Sequence, residues 1–345
     1  MRGLLLRWFD LNARALPWRT PNRAPYATLV AEVMLQQTQA ARVARAFGPF
    51  LASFPDVGRL ATADVSSVLL GWQGLGYYRR ARALHETARI VVAAHAGEVP
   101  GRVDELCALP GIGRYTAVAI AAQAFGVAGI AVDANVRRVG GRVLGLLGRD
   151  GGTPRAPDAV IEAGLTALLL APGADDEAGE RARVPEALIE LGATLCTPRA
   201  PRCAACPLAS GCHALARGDP EGFGMPRARA PRPLERSRVV VAFDGKRVAL
   251  VRRNPEGRWG GLWGFPGDAS GRATAQRVLT AVDHVLTHRR LEVTPVLYGP
   301  EGAHAGATWV SLEELAAGGG PVPVATLDRK LARRVAGAVR EGGAT

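Results

Sequence analysis

The sequence predicts a multidomain protein in which an all-α part is followed by a small α/β domain. Three observations carry this expectation. From residue 1 to about 215, apolar residues recur at three- and four-residue intervals between short glycine or proline turns, the period of amphipathic helices. Residues 216–236 lose that period and gather proline, glycine and arginine, the composition of a linker. From residue 237 β-branched runs appear, the first two joined through Asp244-Gly245, a strong hairpin signal.

The elements follow in order. The opening MRGLLLRWFDLNARALPW is interrupted by Arg7, Asp10 and Arg14, which suits an amphipathic helix better than a signal peptide. Helical periodicity continues through TLVAEVMLQQTQAARVARAF, VSSVLLGW, RARALHETARIVVAAH, YTAVAIAAQAF and VPEALIELGATLC. Beyond the linker, RVVVAFDGKRVALVRR reads as a β-hairpin, and LEVTPVLY (291–298) and ATWVSL (307–312) as further strands. Helices are expected at ATAQRVLTAVDHVL and LDRKLARRVAGAV. A chain of 345 residues suits two domains. No apolar run reaches the roughly 18–20 residues of a membrane span. The expectation is a soluble, monomeric, cytoplasmic protein without a membrane partner, nucleoid-associated if bacterial.

Lysine plus arginine exceed aspartate plus glutamate by 43 to 31, giving a net charge of +12 carried almost wholly by arginine. That balance fits a polyanion such as nucleic acid, or a solvated basic surface. Cys107 stands alone in an apolar stretch, as a small buried hydrophobe would. The other four cysteines crowd into CTPRAPRCAACPLASGC, at Cys196, Cys203, Cys206 and Cys212. Such spacing is too tight for a disulfide framework in a chain this large and fits a metal or cluster site.

LPGIGRYTA (109–117) carries little polar chemistry for so short a turn. Gly111 and Gly113 permit a tight turn that leaves backbone N–H groups free at the start of the next helix, where the helix dipole favours an anion. This is a helix–hairpin–helix pattern, a way to grip one DNA phosphate without reading sequence. Asp133, in VDANVRR, reads on its own as a helix N-cap.

Hairpin, aspartate and cysteines in this order resemble the base-excision DNA glycosylases related to endonuclease III, over roughly residues 1–215. The resemblance implies that the four cysteines hold a 4Fe–4S cluster. LPWR (16–19), AEVMLQQTQ (31–39) and WQGLGYYRRAR (72–82) are similar to the adenine-specific, MutY-type branch. By that resemblance Glu32 is the catalytic acid that protonates adenine and Asp133 stabilises the sugar cation or forms a transient adduct. Asn135 lies beside Asp133. Gln37 and Tyr77 are implied to wedge into the duplex, and Trp18, Arg19 and Glu186 to line the adenine pocket. Strand-cleaving relatives place a lysine nucleophile where this chain has Tyr115. A phenol cannot form a Schiff base, which implies a monofunctional enzyme. The apolar neighbours of Glu32 agree with a carboxyl whose charged form is disfavoured.

GRWGGLWGFPGD (257–268) resembles the core of a Nudix-like fold. A Nudix hydrolase would next need a helix dense in glutamates to hold magnesium. ASGRATAQRVLTAV contains no acidic residue, which points to recognition rather than hydrolysis. In the MutY-type architecture this domain checks for 8-oxoguanine opposite the adenine, and Leu286-Thr287-His288 takes the place of the family's phenylalanine-serine-histidine loop. The implied partner is double-stranded DNA with A:8-oxoguanine or A:G mispairs. Two other readings are a mismatch thymine glycosylase and a non-catalytic iron–sulfur DNA-damage sensor. The Nudix-like domain and Glu32 argue against the first, and the presence of both carboxylates against the second.

Overall fold

Apolar periodicity becomes helix through the first part of the chain in a computed structural model, which describes residues 1–21, 23–146, 157–172, 179–223, 231–267 and 275–342. The helices are α1 (Arg2–Asn12), α2 (Pro25–Leu35), α3 (Ala40–Ser53), α4 (Val57–Thr62), α5 (Val65–Gly71), α6 (Arg79–Ala94), α7 (Val103–Cys107), α8 (Arg114–Phe125), α9 (Ala134–Leu144), α10 (Asp158–Leu169), α11 (Glu180–Thr194) and α12 (His213–Ala216). Two units emerge: Met1–Ala61 with Glu86–Ala228, and Thr62–His85 with Arg229–Thr345. The second therefore takes in a stretch of the helical part. Part of the expected linker (224–230) and part of the Nudix-like stretch (268–274) lie outside the described residues.

In the first unit, Leu5, Leu6 and Phe9 of α1 join Val136, Val139, Leu188 and Leu191 in one buried cluster. Close approach of α9 and α11 depends on Gly192, since a Cβ there would stand 2.6 Å from the Asn135 Cβ. Helix α2 starts on Pro25, whose fixed φ suits a first helical position. Thr28 to Met34 are all buried, so this helix runs through the core. The long helical stretch read from the sequence is interrupted at 36–39, where Gln37 is left-handed (φ 56°). The Gln36 amide donates to the Gly111 carbonyl and the Thr116 hydroxyl, bonds between distant segments that outweigh local propensity.

The second unit is built on strands β1 (Leu234–Ala242), β2 (Arg247–Arg252), β3 (Trp263–Gly264), β4 (Arg277–Val278), β5 (Val282–Val285), β6 (Arg290–Tyr298) and β7 (Thr308–Ser311), with helices α13 (Leu312–Ala317) and α14 (Thr326–Gly342). The Asp244-Gly245 turn forms: Gly245 has φ 98°, Asp244 accepts from the Lys246 and Arg247 N–H groups, and Phe243 bridges Val248. The strands it joins nevertheless part. β1 pairs in parallel with β6, while β2 lies between β3 and β7 in another sheet. Consecutive buried residues at 240–242 and 248–250 need cover on both faces, which two sheets supply and a lone ribbon does not.

The helix expected at ATAQRVLTAVDHVL is instead β4 and β5, both antiparallel to β6. Val278, Val282 and Val285 have the β-branching of strands, and pairing with β6 decides the ambiguity. The terminal helix forms as expected. Its Asp328, fully buried, accepts both Arg253 guanidinium donors and the Phe265 N–H, fixing α14 against β2 and β3. No helix among the described residues is long and apolar enough to cross a membrane.

Candidate active site

Glu32 projects from the buried helix α2 and is 4 % exposed. Its Oε1 accepts from the Gln123 amide of α8 at 2.7 Å, and its Oε2 is buried without a hydrogen-bond partner among the described residues. Burial raises the carboxyl to a pKa of about 7. Gln123 and Arg23 oppose that rise, and the charges of Glu186 and Asp133 add to it. A carboxyl so placed carries a transferable proton near neutrality.

Asp133 is the N-cap of α9, so the capping reading is correct. Its Oδ1 accepts from the Val136 N–H at 2.7 Å and its Oδ2 from the Asn135 amide at 2.9 Å. Burial raises its pKa, and those two donors pull it back down. The cap thus holds the carboxylate in one orientation. Asn135 in turn accepts from Arg138, which also donates to the Cys196 carbonyl at 2.8 Å. Tyr115, in the first turn of α8, is pushed well above its ordinary pKa by burial and by the charges of Glu32 and Asp133. It remains a neutral phenol beside both carboxylates.

An ionic chain flanks this pair. Glu186 of α11 accepts from Arg19 at 2.6 Å and Arg23 at 2.8 Å. Arg23 also donates to the Gln123 carbonyl oxygen at 2.8 Å. Glu190, one turn after Glu186, takes Arg14 and Arg19. Trp18 is buried edge-on against Phe47, with ring centroids 5.8 Å apart. Sequence reasoning named Trp18, Arg19 and Glu186 but missed Arg14, Arg23, Gln123 and Glu190. A signal existed for two of them: Glu190 repeats Glu186 at helical spacing, and Gln123 is the polar residue inside YTAVAIAAQAF.

The hairpin between α7 and α8 has the expected geometry, but Cys107, the last residue of α7, is exposed rather than the buried small hydrophobe expected, because the helix turns Leu106 inward instead. Gly111 is left-handed (φ 75°), Ile112 is buried, and Gly113 is the N-cap of α8 with open space where a Cβ would stand. Among the described residues no side chain caps the first turn of α8, which leaves its N–H groups without a side-chain acceptor, as an anion site requires.

Cys196, Cys203, Cys206 and Cys212 line one cavity with Val139, Leu191 and Leu208. Among the described residues no group of three or more His, Cys, Asp or Glu side chains is gathered closely enough for a single metal ion. The donor set fits a cationic group larger than one ion. Burial first, and then the charges of its three fellow cysteines, push Cys206 up to about 11, a repulsion that a bound cation reverses. Buried Arg142 donates to the Cys196 sulfur at 3.2 Å and to the carbonyls of Thr197 and Pro198.

In the second unit Thr287 and His288 form the exposed tip of the β5–β6 hairpin, closed by the Leu286 N–H donating to the Arg289 carbonyl. Leu286 packs on the hydrophobic core, so the side chain that replaces the family's aromatic points away from the tip. The Tyr77 hydroxyl is hydrogen-bonded to the Thr287 hydroxyl. Tyr77 is left-handed (φ 48°), as is Gln37. The two residues expected to wedge into the duplex thus share a backbone conformation that is sparsely populated and recurs at functional sites.

Fold and site define a class, the helix–hairpin–helix base-excision proteins carrying a Nudix-type domain. Residues 30–155 match the family described as HhH-GPD superfamily base excision DNA repair protein, and residues 238–333 the NUDIX domain. The adenine DNA glycosylase of Mycobacterium tuberculosis is 42 % identical over 227 residues, 65 % of this chain and 70 % of that protein. The human adenine DNA glycosylase is 41 % identical over 319 residues, 77 % of this chain and 57 % of the human protein. Among solved structures, a thermostable thymine-DNA glycosylase aligns with a TM-score of 0.53 at 28 % identity, over 63 % of this chain and 95 % of its own. An endonuclease III–DNA complex aligns at 0.50 and 25 %, over 63 % of this chain and 96 % of its own. The chain belongs to the adenine DNA glycosylase family, within the HhH-GPD superfamily.

Proposed function

We propose that the protein is a monofunctional adenine DNA glycosylase of base excision repair, acting on adenine opposite 8-oxoguanine or guanine in double-stranded DNA. The observation that carries this is the buried Glu32, with one oxygen held and the other unpartnered among the described residues, close enough to Asp133 to feel its charge.

The α8 N-terminus grips a phosphate, and Gln37 and Tyr77 fill the gap left when adenine is flipped out of the stack. Glu186, Arg19 and Trp18 line the pocket that receives the base. Glu32 Oε2 gives its proton to adenine N7, and the N-glycosidic electron pair leaves with the base. Asp133 stabilises the resulting oxocarbenium-like sugar or bonds to it transiently. Water then adds to the sugar carbon, and the Glu32 carboxylate takes up its proton. Tyr115 offers no amine for a Schiff base, which supports a monofunctional glycosylase that uses water. Cys196, Cys203, Cys206 and Cys212 would hold a 4Fe–4S cluster, whose role there would be structural, and Arg199 and Arg202, between the first two of these cysteines, would meet the DNA backbone. Thr287 and His288 read the base opposite the adenine. A cytoplasmic location, nucleoid-associated if the protein is bacterial, and a monomeric state fit this substrate.

Incubation with duplexes carrying A opposite 8-oxoguanine, A opposite G and T opposite G, followed by detection of abasic sites, tests the reading. Product from the two adenine duplexes supports it. Product from T:G instead favours a thymine glycosylase, and no product favours a sensor.

A further inference from the structure

Accepting that reading of Glu32, we propose that Gln123, pinned by Arg23, is a positioning residue that confines the acidic proton of Glu32 to Oε2, the oxygen left free for the base. An arginine has five donors and no acceptor, so the Arg23 contact at 2.8 Å can only meet the carbonyl oxygen of the Gln123 amide. The orientation of that amide is thereby fixed, and its NH2 must face Glu32 Oε1, 2.7 Å away. A proton on Oε1 would confront that N–H. The protonated carboxyl therefore carries its hydrogen on Oε2, which has no competing partner among the described residues.

The same N–H group gains as the proton departs, because a hydrogen bond to a carboxylate is stronger than one to a neutral acid. The other charged or titratable groups felt by Glu32 are Arg23 ahead of α2, Asp133 at the α9 N-cap and Glu186 on α11, and Tyr115 of α8 feels the Glu32 charge in turn. Only Gln123 donates to it directly among the described hydrogen bonds. Arg23 meanwhile bridges Gln123 and Glu186, so one guanidinium sets both the acid and a wall of the adenine pocket.

The test compares wild type, Gln123→Leu and Gln123→Glu by two readouts. Infrared titration follows the protonated-carboxyl band that Glu32→Gln removes, and single-turnover adenine release follows rate against pH. In Gln123→Leu the infrared midpoint should rise by about one pH unit and the rate fall about tenfold, the effect of one hydrogen bond to a charged group. Duplex affinity should stay within about twofold. Gln123→Glu keeps an acceptor for Arg23 should the leucine variant fail to fold, and its negative charge should raise the midpoint at least as far. A midpoint unmoved in both variants, whatever the rates, would mean that Gln123 only packs and would overturn the proposal. A wild type that releases no adenine would defeat the glycosylase reading alone, because the infrared midpoints still decide the role of Gln123.

Discussion

Replacing Glu32 by glutamine should stabilise the protein above neutrality while abolishing adenine release. Glutamine mimics the protonated acid: its carbonyl can accept from Gln123, and its NH2 stands where the Oε2 proton stood. In the wild type, burial raises the Glu32 pKa from an ordinary 4.5 to about 7. Between those values the folded state holds a proton that the unfolded chain has lost, so stability falls as pH rises through the window. At 1.36 kcal/mol per pH unit, the cost once Glu32 is ionised is roughly 3 kcal/mol. Below about pH 4.5 that cost is absent and glutamine should gain nothing. Calorimetric melting of both proteins at pH 4.5 and pH 8 measures the difference. At about 2–4 °C per kcal/mol for a unit of this size, the gain at pH 8 reaches roughly 6–12 °C. Equal melting temperatures at pH 8, or the same gain at both pH values, would refute the reasoning. Retained adenine release would remove Glu32 from the chemistry.

Asp133→Asn should likewise abolish adenine release and leave duplex binding intact, because asparagine is a good N-cap and can still accept from Val136; Asp133→Ala should cost about 1 kcal/mol of stability in addition, read by melting. The double variant Thr287→Ala/His288→Ala should equalise the rates on A:8-oxoguanine and A:G duplexes without changing the folded spectrum. Cys206→Ser should lose iron by elemental analysis and the visible absorption of the cluster; wild-type protein carrying zinc and no iron would contradict the cofactor assignment.

The sequence made the helical part, its hairpin and both carboxylates readable, since each rests on local signals: periodicity, glycines that free the backbone, an aspartate ahead of a helix. What it hid depends on distance along the chain. Val278, Val282 and Val285 fit a helix or a strand until β6 is there to pair with them. The turn at Asp244-Gly245 was legible, but the partners of the strands it joins lie beyond local sequence. The ion pairs uniting Arg19 and Arg23 with Glu186, and the amide joining Arg23 to Glu32, link segments roughly a hundred or more residues apart. No spacing rule reaches that far.

Residues 62–85 fold with the last third of the chain, and this makes the protein less modular than its two family matches suggest. Trp72 and Leu75 are buried, the Tyr78 hydroxyl donates to the Val324 carbonyl, and Arg82 donates to the Gly260 carbonyl. Cutting at residue 229 would not trim off an accessory; it would strip the cover from residues 62–85, which interrupt the first unit along the sequence. Frameshifts or stops late in the coding sequence should therefore harm solubility and excision itself, well beyond the loss of discrimination at the opposite base.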